Sequence, residues 1–489
     1  MSTDLTQTQQ MARDKMAAIR SAQGPWAALT VQERGQKMQA ACQNILSRAE
    51  ELAVLIAQET KKPLAEAYSA EVLGIGDLFK YWLKKAPILL QPRKGEIPSL
   101  ELPGKKAWIE RLPRGVIGVI SPWNFPVSLP MRSLIPALLA GNGVLLKPSE
   151  ITPLTGEWLV ARLRESLGDI VDVMPGAGEA GAALVEALPD MVVFTGSTRT
   201  GRRVAVACAE RGIPCEVELG GKDCAIVLDD ADIERSAAGI AWGIVSNAGQ
   251  NCSGIERVAV SSLIAAKFSA ALVKALEVTA PSVPDLVTPM QRQIVIGHIS
   301  DAQDRGCTVL TGGLPTADDQ AIPPTLLTNV PREAPAWADE SFGPIAVLEI
   351  QNDDASLVAA ANATRYGLGA SVWTSDLERG QRVASQVRSG MVWINNHSFS
   401  AAVPDLPWVG IGDSGTGVTN SPDALLHMTR PHLILVDSTK AIEPWWYPYG
   451  PKMLDLMRIL VSRQRTGGIG ATLKTLGALK KRNAELNGK

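Results

Sequence analysis

The stretch MVVFTGSTRTGRRVAVACAERG, residues 191–212, decides the fold. Met191–Phe194 are consecutive apolar residues and read as a strand buried on both faces, while the run from Gly196 onward reads as a helix with glycine at its front. A buried strand that turns straight into a helix is the repeating unit of a parallel sheet covered by helices. The same texture spreads in both directions. GVIGVI (115–120), GVLLK (143–147) and DIVDVMPG (169–176) predict further strands, and SLIPALLAGNGVLL (133–146) reads as helix, turn and strand. TPLTGEWLVARLRESL (152–167) and AGAALVEAL (180–188) predict helices. The implied class is α/β, a doubly wound and mostly parallel sheet.

Past residue 221 a second α/β alternation runs to about residue 430, with CAIVLD, RVAVSS, TVL, AVLEI and MVWIN as candidate strands. Residues 11–90 carry a 3.6-residue apolar period and predict several helices. SLELPGKKAWIERLPRGVIGVIS (99–121) predicts a hairpin turning at Pro103-Gly104 and leading into a buried strand. At 489 residues the chain exceeds the size at which a single core stops growing, so two or three lobes are expected. Hydrophobic residues make up 46% and charged residues 20%, an ordinary globular balance, and the net charge of -2 carries no nucleic-acid footprint. The polar start, MSTDLTQTQQMARDKM, lacks the apolar core of a secretory signal. The six cysteines form no CxxC and have no histidines at metal-ligand spacing, so no metal site is expected, and reduced thiols in a cytoplasm are.

Several short stretches carry polar residues suited to chemistry, each with a plainer reading beside it. Gly196 and Gly201 flank a turn whose backbone N–H groups, with the Ser197 hydroxyl, suit a pyrophosphate, although an ordinary strand-to-helix turn looks the same. Lys147 and Glu150 end the strand GVLLK, where an ammonium and a carboxylate suit ribose hydroxyls or simply a solvated turn. ISPWNFP (120–126) sets Asn124 directly after a strand, as an oxyanion donor or a turn-former. In EVELGGK (216–222), Glu218 sits among apolar neighbours, as a general base of raised pKa or an ion-paired strand end. NAGQNCSGIER (247–257) holds Cys252, either a nucleophile or a small buried hydrophobe.

Taken together, in order and spacing, these stretches resemble the aldehyde dehydrogenase superfamily over roughly residues 20–438. ESFGP (340–344) and NATRYGLGASV (362–372) add to the match. The resemblance implies a Rossmann-type cofactor domain (1–94 and 116–220), a second α/β catalytic domain (221–430) and a small β oligomerisation arm (95–115 and 431–440). It implies Cys252 as nucleophile, Asn124 as oxyanion donor and Glu218 as the base that activates water, hence a carboxylic acid product. For the cofactor it implies contacts from Ser121, Trp123, Lys147, Glu150, Gly178, Phe194, Gly196, Ser197, Gly201, Leu219, Glu340 and Phe342. Glu150 favours NAD over NADP, because a carboxylate accepts a free 2'-hydroxyl and repels a 2'-phosphate. The arm implies a homodimer or homotetramer.

Two departures bear on the substrate. PWVGIGDSGTG (407–417) has Trp408 where the family usually has Phe, and Val409 where it has Gly. Residues 441–489 form a basic aromatic extension that many members lack: EPWWYPYG (443–450), then two helical patterns, with nine Lys/Arg against three Asp/Glu. It suits a longer subunit-interface arm, membrane anchoring or tunnel capping as in the fatty aldehyde branch, or a disordered tail. A hydrophobic aldehyde, long-chain or aromatic, is therefore the expected substrate, and cytoplasmic location with peripheral membrane contact the expected setting. Arg132 raises the alternative of an acid semialdehyde, shared with branches that oxidise aromatic aldehydes. Ser246 stands where the succinic semialdehyde branch has a second arginine, which weighs against that alternative. A catalytically silent structural or binding protein on the same fold is a further alternative, opposed by the intact Cys252, Glu218 and Asn124. His298, His397, His427 and His432, and the other five cysteines, are expected to pack or to lie at the surface.

Overall fold

The computed structural model describes residues 2–98, 102–316, 321–440 and 442–487. Five strands form a parallel sheet in the spatial order Val171–Val173, Gly143–Lys147, Val116–Ile120, Met191–Thr195, Cys215–Glu218. Ile117 lies opposite both Val144 and Met191, and Ile120 opposite both Lys147 and Phe194. The first strand in sequence is therefore central, with its successors laid first to one side and then to the other. The order reverses between Val116–Ile120 and Met191–Thr195, and in open α/β sheets a ligand crevice opens beyond the strand ends at that point. Here those ends lead into Ser121–Asn124 and Gly196–Ser197.

A second sheet of seven strands runs Thr308–Thr311, Thr325–Thr328, Ile345–Gln351, Ile255–Ser261, Asp223–Val227, Gly369–Trp373, Met391–Ile394. Only the Thr308–Thr311 edge is antiparallel to its neighbour. Two of these strands are not among the sequence expectations. TLLT is four residues long and GASVW opens on its smallest side chains, so neither makes an apolar run that stands out from its surroundings.

Residues 92–110 and 432–489 form a compact unit apart from residues 1–91 and 111–431. The arm and the C-terminal extension, expected as separate segments, thus share one unit. Arg93–Gly95 pairs antiparallel with Lys105–Pro113, which also neighbours Thr429–Asp437. Of the expected hairpin and extension, Ser99–Glu101, Ala441, Gly488 and Lys489 lie outside the described residues, as does Met1 at the start of the expected cofactor domain. Helices Pro451–Thr466 and Gly468–Leu486 pack through Met453, Leu456 and Ala478. The fully buried Arg482 donates to the carbonyls of Pro444 (2.9 Å), Trp446 (2.8 Å) and Pro448 (2.7 Å), fixing the aromatic turn. Trp446, Tyr447, Tyr449, Ile469 and Leu473 stay exposed. No helix among the described residues is long and apolar enough to cross a membrane.

In the larger unit the N-terminal helices do more than cover the first sheet. Lys62, just past the helix Ala49–Thr60, pairs at 2.8 Å with Glu71, and both side chains are fully buried. Glu71 accepts the backbone N–H groups of Val127 (3.1 Å) and Ser128 (2.9 Å), which begin the helix Ser128–Leu139, and Lys62 donates to the carbonyl of Asn124. A buried ion pair therefore holds the turn that carries Asn124. Lys62→Met leaves the Glu71 carboxylate buried without its cation, at an expected cost on the order of 3–5 kcal/mol. It is measured as a lowered denaturation midpoint, and the double variant Lys62→Met/Glu71→Met is expected to recover part of the loss.

Candidate active site

Cys252 follows a tight turn built from consecutive left-handed residues: Asn247 (φ 54°), Ala248 (φ 54°) and Gly249 (φ 72°). Left-handed backbone is unfavourable for Ala and rare for any residue but Gly, Asn and Asp, so the turn survives only because its surroundings over-determine it. A Cβ at Gly249 would lie 2.1 Å from the carbonyl carbon of Gly343, so the turn is pressed against the backbone after Phe342. Asn247 reaches from this turn to the carbonyls of Asn124 (3.1 Å) and Gln250 (2.9 Å), and the Asn124 amide donates to Gln250 O at 3.1 Å. One N–H of the buried Asn124 amide is thereby committed and fixes its plane, leaving the second for a ligand. Behind Cys252, His397 is bonded through Nε2 to the Ser253 carbonyl at 2.6 Å, and burial pushes its pKa down to about 4, so it packs as a neutral ring.

Glu218 ends the last strand of the first sheet and is buried. Loss of water pushes its pKa up to about 7, opposed by the hydrogen bond from Trp408, by the neighbouring Cys252 thiol and by the charge of Arg132. Its Oε1 accepts the Trp408 indole N–H at 3.2 Å, while Oε2 has no hydrogen-bond partner among the described residues. Burial, then the Glu218 and Glu340 carboxylates, hold the Cys252 thiol well above its ordinary range. The site as it stands keeps a neutral thiol beside a carboxyl group that titrates near neutrality.

Two cavities meet at Cys252. One, of about 270 Å³, is lined by Trp123, Asn124, Gly196, Ser197, Glu218, Leu219, Glu340 and Phe342 besides Cys252, bringing together nine of the residues singled out in the sequence. Ser121, Lys147, Glu150, Gly178, Phe194 and Gly201 are not in its wall. Ser121 follows the central strand, its N–H bonded to Lys147 O at 3.0 Å, and Lys147 Nζ pairs with the half-exposed Glu150 at 3.1 Å. Gly178 begins the helix Gly178–Glu186, while Phe194 lies buried in its strand. Gly201 lets the helix Thr198–Ala209 approach Leu219, since a Cβ there would stand 2.2 Å from the Leu219 side chain. The second cavity, about 370 Å³, is mostly apolar: Ile75, Leu78, Phe125, Met131, Trp242 and Phe399 line it together with Arg132 and Trp408.

Sequence reasoning missed the struts under the site. Glu256, in the fully buried strand Ile255–Ser261, accepts the N–H groups of Ser341 (2.8 Å) and Phe342 (2.8 Å) and pairs with the buried Lys222. This holds Phe342 at φ 52°, where its ring meets Trp123 edge-on at 5.5 Å. Glu340 accepts the Gly221 N–H at 3.1 Å, and burial, then the Glu256 charge, push its pKa up to about 8. A Glu-Arg pair inside an otherwise apolar strand is the signal that could have pointed to Glu256, because buried charges occur only where they are paired.

Residues 4–434 match the model of the aldehyde dehydrogenase family. The chain is 34% identical over 450 residues to 4,4'-diapolycopene aldehyde oxidase of Methylomonas sp, covering 90% of this chain and 84% of that protein. It is 34% identical over 427 residues to the succinate-semialdehyde dehydrogenase [NADP(+)] of Deinococcus radiodurans, covering 85% and 88%. The solved structure of a Staphylococcus aureus betaine aldehyde dehydrogenase variant in complex with NAD+ superposes with a TM-score of 0.82 at 28% identity, over 89% of this chain and 91% of that one. The fold, the convergence of Cys252, Asn124 and Glu218 on one cavity, and these likenesses lead to one conclusion: the chain belongs to the aldehyde dehydrogenase family.

Proposed function

We propose that the protein oxidises a hydrophobic aldehyde to its carboxylic acid with NAD as acceptor and water as second substrate. The observation that carries this reading is the meeting of Cys252, Asn124 and an unpartnered Glu218 oxygen in one cavity that backs onto a larger, mostly apolar one. The Cys252 sulfur attacks the aldehyde carbon as its proton passes to Glu218, and the resulting oxyanion faces the free Asn124 N–H and the Cys252 backbone N–H. NAD, when bound, supplies the hydride acceptor that converts this thiohemiacetal to a thioester. Glu218, having released its proton to solvent, takes one from water through Oε2. The new C–O bond forms as the C–S bond breaks, and Cys252 leaves as thiolate.

The cofactor reading is supported by the front of the helix Thr198–Ala209, where Gly196 and Ser197 open to the cavity. A Cβ at Gly196 would lie 2.8 Å from the Phe194 ring, so the turn is closed to a larger residue, and the bare Gly196 backbone lines the cavity, as a pyrophosphate cradle requires. Lys147 and Glu150 take the adenine ribose, with Ser121, Gly178, Phe194 and Gly201 shaping that end. Glu340 takes the nicotinamide ribose, and Trp123, Leu219 and Phe342 enclose the ring. The first sheet with its helices is the dinucleotide-binding domain (1–94 and 116–220), and residues 221–430 are the catalytic domain. Residues 95–115 and 431–440 join copies of the chain into a dimer or tetramer, and the exposed aromatic and basic residues of 441–489 make membrane-surface contact.

The apolar lining favours a long-chain or aromatic aldehyde, in keeping with the diapolycopene aldehyde in the name of the Methylomonas relative. Arg132 in the same wall favours a second reading, an aldehyde bearing a carboxylate, in keeping with the Deinococcus relative. Steady-state rates separate them: kcat/KM for hexadecanal and benzaldehyde is expected to exceed that for succinic semialdehyde, and the reverse order selects the second reading.

Cys252→Ala is expected to abolish NADH formation at 340 nm while NAD binding, measured by calorimetry, survives. Glu218→Gln is expected to stall at no more than about one NADH per site, reached more slowly than in the parent because Glu218 also takes the Cys252 proton, since the thioester that forms is not hydrolysed. Glu218 works as a base only when ionised, so kcat of the parent enzyme is expected to fall as pH drops through about 7 and to level off above it.

A further inference from the structure

Trp408 stands on a short strand, Trp408–Val409, paired antiparallel with Val418–Thr419. The loop between these strands is strapped to both sides of Glu218. Thr416 N donates to Val217 O at 2.9 Å, and Leu219 N donates to Ser414 O at 3.0 Å. The indole is buried and reaches Glu218 Oε1 with its only donor, while Glu218 Oε2 remains buried and unpartnered. On its cavity side the indole carries Arg132, whose guanidinium carbon lies 5.5 Å from the ring centroid and whose Nη2 donates to Ala401 O at 3.0 Å.

We propose that Trp408 is the positioning residue for thioester hydrolysis: its indole N–H ties down one oxygen of Glu218 and so selects the other as the oxygen that takes the proton from water. This rests on the reading of Glu218 as the general base. A phenyl ring in the same place would fill the space and pack under Arg132 but could hold neither oxygen, so the donor nitrogen is what distinguishes this site. The bond also steadies the ionised carboxylate against its burial, together with the Cys252 thiol and the Arg132 charge, while Glu340 and Asp223 are the acidic groups that face it. Trp408 therefore sets where the base titrates as well as where it points.

Trp408→Phe tests this in the full-length enzyme with NAD and a saturating aldehyde. The expected result is a retained burst of about one NADH per site, followed by steady turnover lowered about tenfold, the scale of one hydrogen bond to a charged group. The acid limb of the kcat profile is expected to move up by about one pH unit, with the turnover deficit shrinking above it. A profile that superimposes on that of the parent, or a burst that falls in proportion to turnover, overturns the proposal. If Trp408→Phe does not fold, Trp408→Met, also without a donor, is read the same way. The underlying reading fails separately. If Cys252→Ala still makes NADH, the nucleophile assignment is wrong, and if Glu218→Gln turns over fully, the base assignment is. If both behave as expected while Trp408→Phe matches the parent, only the role of Trp408 is lost.

Discussion

Burial of a carboxyl group beside a thiol is the constraint around which the larger unit is arranged. Glu218 and Cys252 line one cavity and Glu218 is buried, so one negative charge is costly there and two adjacent ones costlier still. The protein meets this by keeping the thiol neutral, by poising the carboxyl near neutrality, and by supplying a fixed donor and a distant cation. In the proposed reaction the two exchange a proton and must stay at close range, which requires that the elements touching them be rigid. This explains why the walls of the cavity are braced by interactions with no chemical part in the reaction.

The bracing is ionic where the backbone is irregular. Lys62–Glu71 supports the turn bearing Asn124, and Lys222–Glu256 supports the turn bearing Glu340 and Phe342. Buried ion pairs are poor sources of net stability because desolvation offsets their attraction, but removing one partner is heavily penalised. Such pairs therefore specify geometry. In both cases the carboxylate accepts backbone N–H groups of the neighbouring segment, so a side chain from one element dictates the path of another.

Much of this was legible in the sequence. The parallel strands from Val116 to Thr195 announced themselves as uninterrupted apolar runs, and the stretches around Cys252, Glu218 and Asn124 singled out three residues that the fold brings to one cavity. What escaped notice shares one property: it depends on pairing across large sequence separations. Lys62 and Glu71 sit in helical texture that looks like ordinary surface charge, and only the fold buries them against residues 124–128. Trp408 was visible as a departure from the family, but its partner lies 190 residues earlier, and nothing local assigns a hydrogen bond to an indole. The strands Thr325–Thr328 and Gly369–Trp373 were missed because a short or small-residue strand is identified by its neighbours in the sheet.

The meeting of two separate cavities at one sulfur atom has a consequence for traffic. If, as proposed, the dinucleotide fills the smaller cavity and the aldehyde the larger, the two approach Cys252 from different sides and neither lies across the other's exit. An acid product would then be free to depart while the reduced nucleotide is still held. The order of the two departures would be a matter of relative lifetimes and not of steric blockade.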